Sequence, residues 1–145
     1  MIGLLQRVTR ADVSVQGSII ARIDRGLLVF VAVHRDDAER DTERLAERII
    51  SYRVFPDTSG RMNRSLQDEA AGLLLVPQFT LAADTRKGTR ASFTKAASPE
   101  KGAAYFKLLV KHCRGQIECV ETGQFGADMQ VSLINDGPVT FWLTS

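Results

Sequence analysis

Cysteine is nearly absent from this sequence. Two occur in 145 residues, Cys113 and Cys119, and their spacing matches neither a zinc motif nor a redox motif. They are expected to be reduced thiols in or near a core. The two histidines, His34 and His112, lie far apart and lack ligand-like neighbours, so no metal is expected. Net charge is only +2, too little to argue nucleic-acid binding by itself. No apolar run approaches the ~20 residues of a membrane span. Met1–Leu5 runs straight into Gln6-Arg7, which does not fit a signal peptide, and cytoplasm is the expected location. No repeat, low-complexity stretch or Pro/Ser-rich linker breaks the chain, so one domain over 1–145 is expected.

Apolar residues are 44% of the chain, enough for a core. Val13 and Val15 alternate with polar residues, Gly17-Ser18 marks a turn, and Ile19–Ile23 follows, a hairpin pattern. Leu27–Val33 is continuously apolar, as a strand covered on both faces would be. Thr42, Leu45, Ala46 and Ile49 recur at helical spacing, with Asp36 and Asp37 as candidate caps. Ser98-Pro99 opens a second helix, with Ala103, Phe106, Val110 and Cys113 on one face and Gly115 as its stop. Ile117–Glu121, Asp128–Ile134 and Val139–Leu143 read as closing strands. The pattern predicts an α+β fold, mostly antiparallel, with two packed helices.

Pro138 is one of only four prolines and falls between two of these strands, in Asn135-Asp136-Gly137-Pro138-Val139-Thr140. Proline cannot donate to a ladder, and glycine adopts dihedrals closed to side chains, so the pair alone reads as a tight turn. A second motif, Pro77-Gln78-Phe79-Thr80-Leu81, follows the buried-looking Leu73–Val76. Together the two resemble the D-aminoacyl-tRNA deacylase family, which carries Ser-Gln-Phe-Thr-Leu and Asn-x-Gly-Pro-x-Thr. Leu5–Val8, Ala82–Thr85, Ser92–Lys95 and Ala127–Leu133 are similar too, so the likeness spans the chain.

The resemblance implies a barrel-like sheet with two helices, assembled as a homodimer, and no cofactor. It implies hydrolysis of the ester of D-aminoacyl-tRNA, and of glycine mischarged on tRNA(Ala). It places the chemistry at Gln78, Phe79 and Thr80, with main-chain N–H groups facing the developing oxyanion. The resemblance also implies that the reaction uses the substrate's own ribose hydroxyl, not a side-chain nucleophile. Thr80 is the obvious nucleophile candidate by residue type, but nothing in the sequence sets a base beside it. Read from the residues, it is a strand threonine bonding to backbone.

Gly137 and Pro138 would form a chiral gate, a cis pair reaching into the partner subunit's site and excluding L side chains by clash. Asn135 and Thr140, with Arg86, Lys87, Arg90 and Lys95 of the basic segment, would bind substrate, the cations through phosphates. Aminoacyl-tRNA is then the partner, with no membrane and no DNA. Phe93 reads as core in preference to a stacking platform. Two departures stand out. Pro77 replaces the family's Ser and removes an N–H, which points to weakened activity or altered substrate choice; Ala91 replaces a Pro. The rival reading is a non-catalytic module that binds tRNA ends.

Overall fold

The computed structural model describes residues 1–145. Strand β1 (Ile2–Val15) turns at Gln16-Gly17 into β2 (Ser18–Ile23), followed by β3 (Gly26–Ala32). Helix α1 (Glu39–Ser51), the short pair β4 (Phe55–Pro56) and β5 (Met62–Arg64), and a single turn α2 (Leu66–Glu69) lead to β6 (Gly72–Pro77). A 3-10 turn spans Phe79–Ala82; α3 (Pro99–Arg114), β7 (Val120–Thr122) and β8 (Gln130–Thr144) complete the chain.

The main sheet runs β2-β1-β3-β6-β7, with β8 on β1. β1 carries β8 along one edge and shares the other between β3 (from Ile2) and β2 (from Ala11). That division bends the sheet, and β2 meets β6 and β7 across the opening, giving a nearly closed barrel. All pairings of β1 are antiparallel, whereas β3-β6-β7 is parallel. The fold is α+β as expected, with a third, one-turn helix added.

Parallel strands are buried on both faces, and the continuous apolar runs of β3 and β6 meet that demand. Leu27, Val29, Val31, Leu73 and Leu75 face the helices. Leu28, Leu74 and Val76 fill the barrel with Val8, Val13 and Ile23. Each such burial contributes about 1.5–3 kcal/mol relative to exposure.

Three expectations need correction. Asp36 and Asp37 do not cap α1: Ala38 is its N-cap residue, its N–H donates to Asp41 Oδ2 at 2.8 Å, and Asp37 Oδ2 instead accepts from His34 N–H at 2.6 Å. Cys113 is buried, its thiol pushed up to about 12 by desolvation, but Cys119 is exposed. Finally, Asn135–Pro138 is no turn between two strands. β8 runs through it as one element and resumes pairing with β1 beyond it. By contrast, Ser98 caps α3 as predicted, accepting from Lys101 N–H at 3.3 Å, with Pro99 in the first turn.

Candidate active site

The first motif ends β6 and enters the 3-10 turn. Pro77 closes β6 opposite Val31. Gln78 N–H donates to the Val31 carbonyl at 2.7 Å, so it is spent on the sheet and not available to a substrate. Phe79 and Thr80 open the turn, and their N–H groups have no carbonyl behind them within it. Thr80 is therefore not a strand residue bonding to backbone. Its hydroxyl is bonded by the Gln78 side-chain amide.

Val76, Pro77, Gln78 and Phe79 form one wall of a pocket of about 500 Å³. Ala97, Ser98 and Pro99 with α3 form another, and Phe125 to Met129 a third. The Phe125 ring packs close to Gly102 of the helix, where a Cβ would lie 3.2 Å from the ring. Neither histidine lines the pocket. The walls at Ser98–Pro99, Phe106 and Phe125–Met129 were not identified as site residues from sequence. The family-like run Ala127–Leu133 was a signal for the last of these alone, at Ala127–Met129.

At the rim, Phe79 and Phe93 meet with ring centroids 5.1 Å apart, tilted by 52°. Phe93 is 42% exposed and Phe79 58%, so Phe93 is not core. The basic segment leaves this rim. An Asp84–Ser92 bridge pins its base. Arg86 is engaged with Asp84 through two side-chain hydrogen bonds, which hold the Asp84 carboxyl well below the usual carboxylate range. Lys95 Nζ stands 3.5 Å from the same carboxylate. Lys87 and Arg90 form no ion pair and are exposed.

The second motif lies elsewhere in the chain. Gly137 and Pro138 do not line the pocket. On β1, Gln6 pairs with Thr140 and Val8 with Asn135, so the four residues Asp136–Val139 face Arg7 alone. This is an oversized bulge, and its backbone groups need other partners. Arg7 supplies one, its Nε donating to the Asp136 carbonyl at 3.0 Å, while its Nη1 holds the Val54 carbonyl at 2.5 Å. The Asp136 carboxylate lies 3.2 Å from Arg7 Nε. Asn135 Nδ2 donates to Thr140 Oγ1 at 2.9 Å, and Gln6 Nε2 donates to the same oxygen at 3.3 Å. Asn135 and Thr140 are thus occupied within the chain. The Gly137-Pro138 bond is cis. Gly137 has φ +143°, and a Cβ there would lie 2.6 Å from Val139 Cγ2.

A family model described as D-Tyr-tRNA(Tyr) deacylase matches residues 4–144. The D-aminoacyl-tRNA deacylase of Alkalilimnicola ehrlichii is 63% identical over 143 residues, 99% of this chain and 95% of that one. The Escherichia coli D-aminoacyl-tRNA deacylase is 52% identical over 143 residues, 99% of each. The solved structure of the c-Myc DNA Unwinding Element Binding Protein is 36% identical with a TM-score of 0.96, covering 100% of this chain and 99% of that one.

Proposed function

This chain belongs to the D-Tyr-tRNA(Tyr) deacylase family, and from that premise we propose how its site performs the family's reaction. The protein is a hydrolase that cleaves the ester of D-aminoacyl-tRNA, releasing free amino acid and tRNA. The pocket between β6 and α3 receives the terminal adenosine of the substrate. Water attacks the ester carbonyl, and the ribose oxygen leaves with a proton. The neighbouring ribose hydroxyl assists the attack.

The observation that carries this reading is the pair of N–H groups on Phe79, which lines the pocket, and Thr80, the residue after it, which open the turn without a partner. Such fixed dipoles stabilise the oxyanion of the tetrahedral intermediate. Gln78 acts through its side chain, holding the Thr80 hydroxyl.

Gly137 and Pro138 serve as the chiral gate. They lie outside the pocket of their own chain, so the gate is supplied by a second copy, and the working unit is a homodimer acting as one domain per chain. Light scattering at twice the chain's 16.0 kDa is the expected result. Glycine on tRNA(Ala) passes the gate because it has no side chain to clash. A charged-tRNA substrate makes the cytoplasm the place of action, with DNA not a partner. Pro77 lines the pocket where the family has Ser, so any shift in substrate choice arises there.

A deacylation assay with D-Tyr-tRNA, L-Tyr-tRNA and Gly-tRNA(Ala) tests the reading. The first and third should be hydrolysed and the second spared. Equal rates on D- and L-Tyr-tRNA would remove the gate.

A further inference from the structure

Arg35 stands outside every motif, yet the fold stitches it to the pocket wall. It follows β3 in a loop that no sequence pattern singles out. Its N–H donates to the Lys95 carbonyl at 3.0 Å, and its Nη1 donates to the Thr94 carbonyl at 3.3 Å. Its own carbonyl accepts from Lys101 Nζ at 2.6 Å. Just before it in the chain, His34 bridges Ala96, and Ala97 N–H donates to the Val33 carbonyl at 3.0 Å. The chain bonded to Arg35 on one side continues into Ala97, Ser98 and Pro99 of the pocket wall, and on the other into Phe93 at the rim.

The fold therefore brings Arg35 of the loop after β3 beside Lys95 and Lys101 of the segment that enters α3, next to the pocket. Their availability differs. Lys101 is committed to the Arg35 carbonyl and to the Tyr105 ring, 5.1 Å from its centroid. Lys95 is shared with Asp84. The Arg35 side chain is 62% exposed, and its acidic neighbour is Asp36, 3.4 Å away and itself 85% exposed. A surface pair of that kind holds its partners weakly. The guanidinium keeps further donors of its planar fork for an incoming anion.

We propose that Arg35 is a phosphate-binding residue for the single-stranded 3′ end of tRNA, and that Lys101 is the residue that positions it. This rests on the proposed function, in which the terminal adenosine occupies the pocket. The nucleotides before it must pass the rim, and their phosphates run within reach of a cation fixed there. Arginine matches phosphate by paired donors as well as by charge. The exposed Phe79 and Phe93 rings offer the unstacked bases a platform beside it.

Binding of uncharged tRNA across a salt series tests this without relying on catalysis. Arg35→Gln should bind about tenfold more weakly at low salt, and its log affinity should fall less steeply with log salt, by ~0.7 for one single-strand phosphate contact. Arg35→Lys should restore most of the salt slope, which a merely structural role would not predict. On tRNA trimmed of its unpaired 3′ residues, wild type and Arg35→Gln should bind alike. Equal affinity on intact tRNA at low salt would overturn the proposal, as would an equal loss on intact and trimmed tRNA. Hydrolysis of D-Tyr-tRNA by wild type, measured separately, tests the proposed function on its own.

Discussion

Asn135 holds Val139 by both of its main-chain groups: Oδ1 accepts the Val139 N–H at 2.7 Å, and Nδ2 donates to the Val139 carbonyl at 3.2 Å. One side chain thereby closes Asp136, Gly137 and Pro138 into a loop. The ladder cannot do this, because the register of β1 and β8 is lost across these residues. The gate proposed for Gly137 and Pro138 would have to resist being pushed aside, and the Asn135 bonds would supply that resistance.

Asn135→Ala should cost about 0.5–1.5 kcal/mol of stability for each net bond lost. The more telling effect is on selectivity. The rate ratio of D-Tyr-tRNA to L-Tyr-tRNA should fall, because a loosened gate yields to an L side chain. If Asn135 instead contacted substrate directly, KM would rise for both substrates with the ratio preserved.

Gly137→Ala should be worse tolerated. At φ +143° an L side chain is strained, and the new methyl would meet Val139 Cγ2 at 2.6 Å and Arg7 Nη2 at 3.2 Å. A loss of about 1–3 kcal/mol is expected on thermal or denaturant unfolding. Activity on D-substrates should drop further than stability explains, since the gate backbone must move to relieve the contact.

Much of the scaffold was legible because its signals are local. The alternation in β1, the apolar runs of β3 and β6, and Ser98-Pro99 each act within a few residues, and the fold carries each of them. The bulge was not legible. Gly-Pro reads as a turn unless both flanking strands pair with the same neighbour, and that depends on the length of β1, far away in sequence. Asp37 failed as a cap for a similar reason, since its carboxylate is drawn to the His34 N–H. The site divided likewise. Gln78 and Phe79 were found by motif, but Phe125 and Gly102 meet only through tertiary packing. The bond between Asn135 and Thr140 was equally hidden, because sequence shows which polar groups exist, not which are bonded to each other.

The basic segment should act through its unpaired members. Lys87→Glu with Arg90→Glu should weaken tRNA binding at low salt, and the loss should shrink as salt rises. Arg86→Glu should behave differently. It places a like charge beside Asp84 and removes that carboxylate's two side-chain hydrogen bonds. Loosening of the loop, visible as faster proteolysis near Asp84, should then accompany any loss of affinity.

The sharpest test separates main chain from side chain at the 3-10 turn. Thr80→Ala removes the hydroxyl that Gln78 holds but keeps the Thr80 N–H. If the N–H is the working group, the rate constant should stay within about tenfold of wild type, whereas loss of an essential nucleophile costs ~10⁴-fold or more. Phe79 permits the converse experiment. It opens the turn, where proline is tolerated, and Gln78 before it has φ −143° and ψ 75°, outside the helical region that proline would disfavour. Phe79→Ala loses the ring and keeps the N–H; Phe79→Pro loses both. The ring's contribution cancels between them, leaving the donor. Phe79→Pro should fall ~10²–10³-fold below Phe79→Ala, as when one oxyanion donor is deleted. Equal rates for the two, with both folded by circular dichroism, would show that the Phe79 N–H has no part in the reaction.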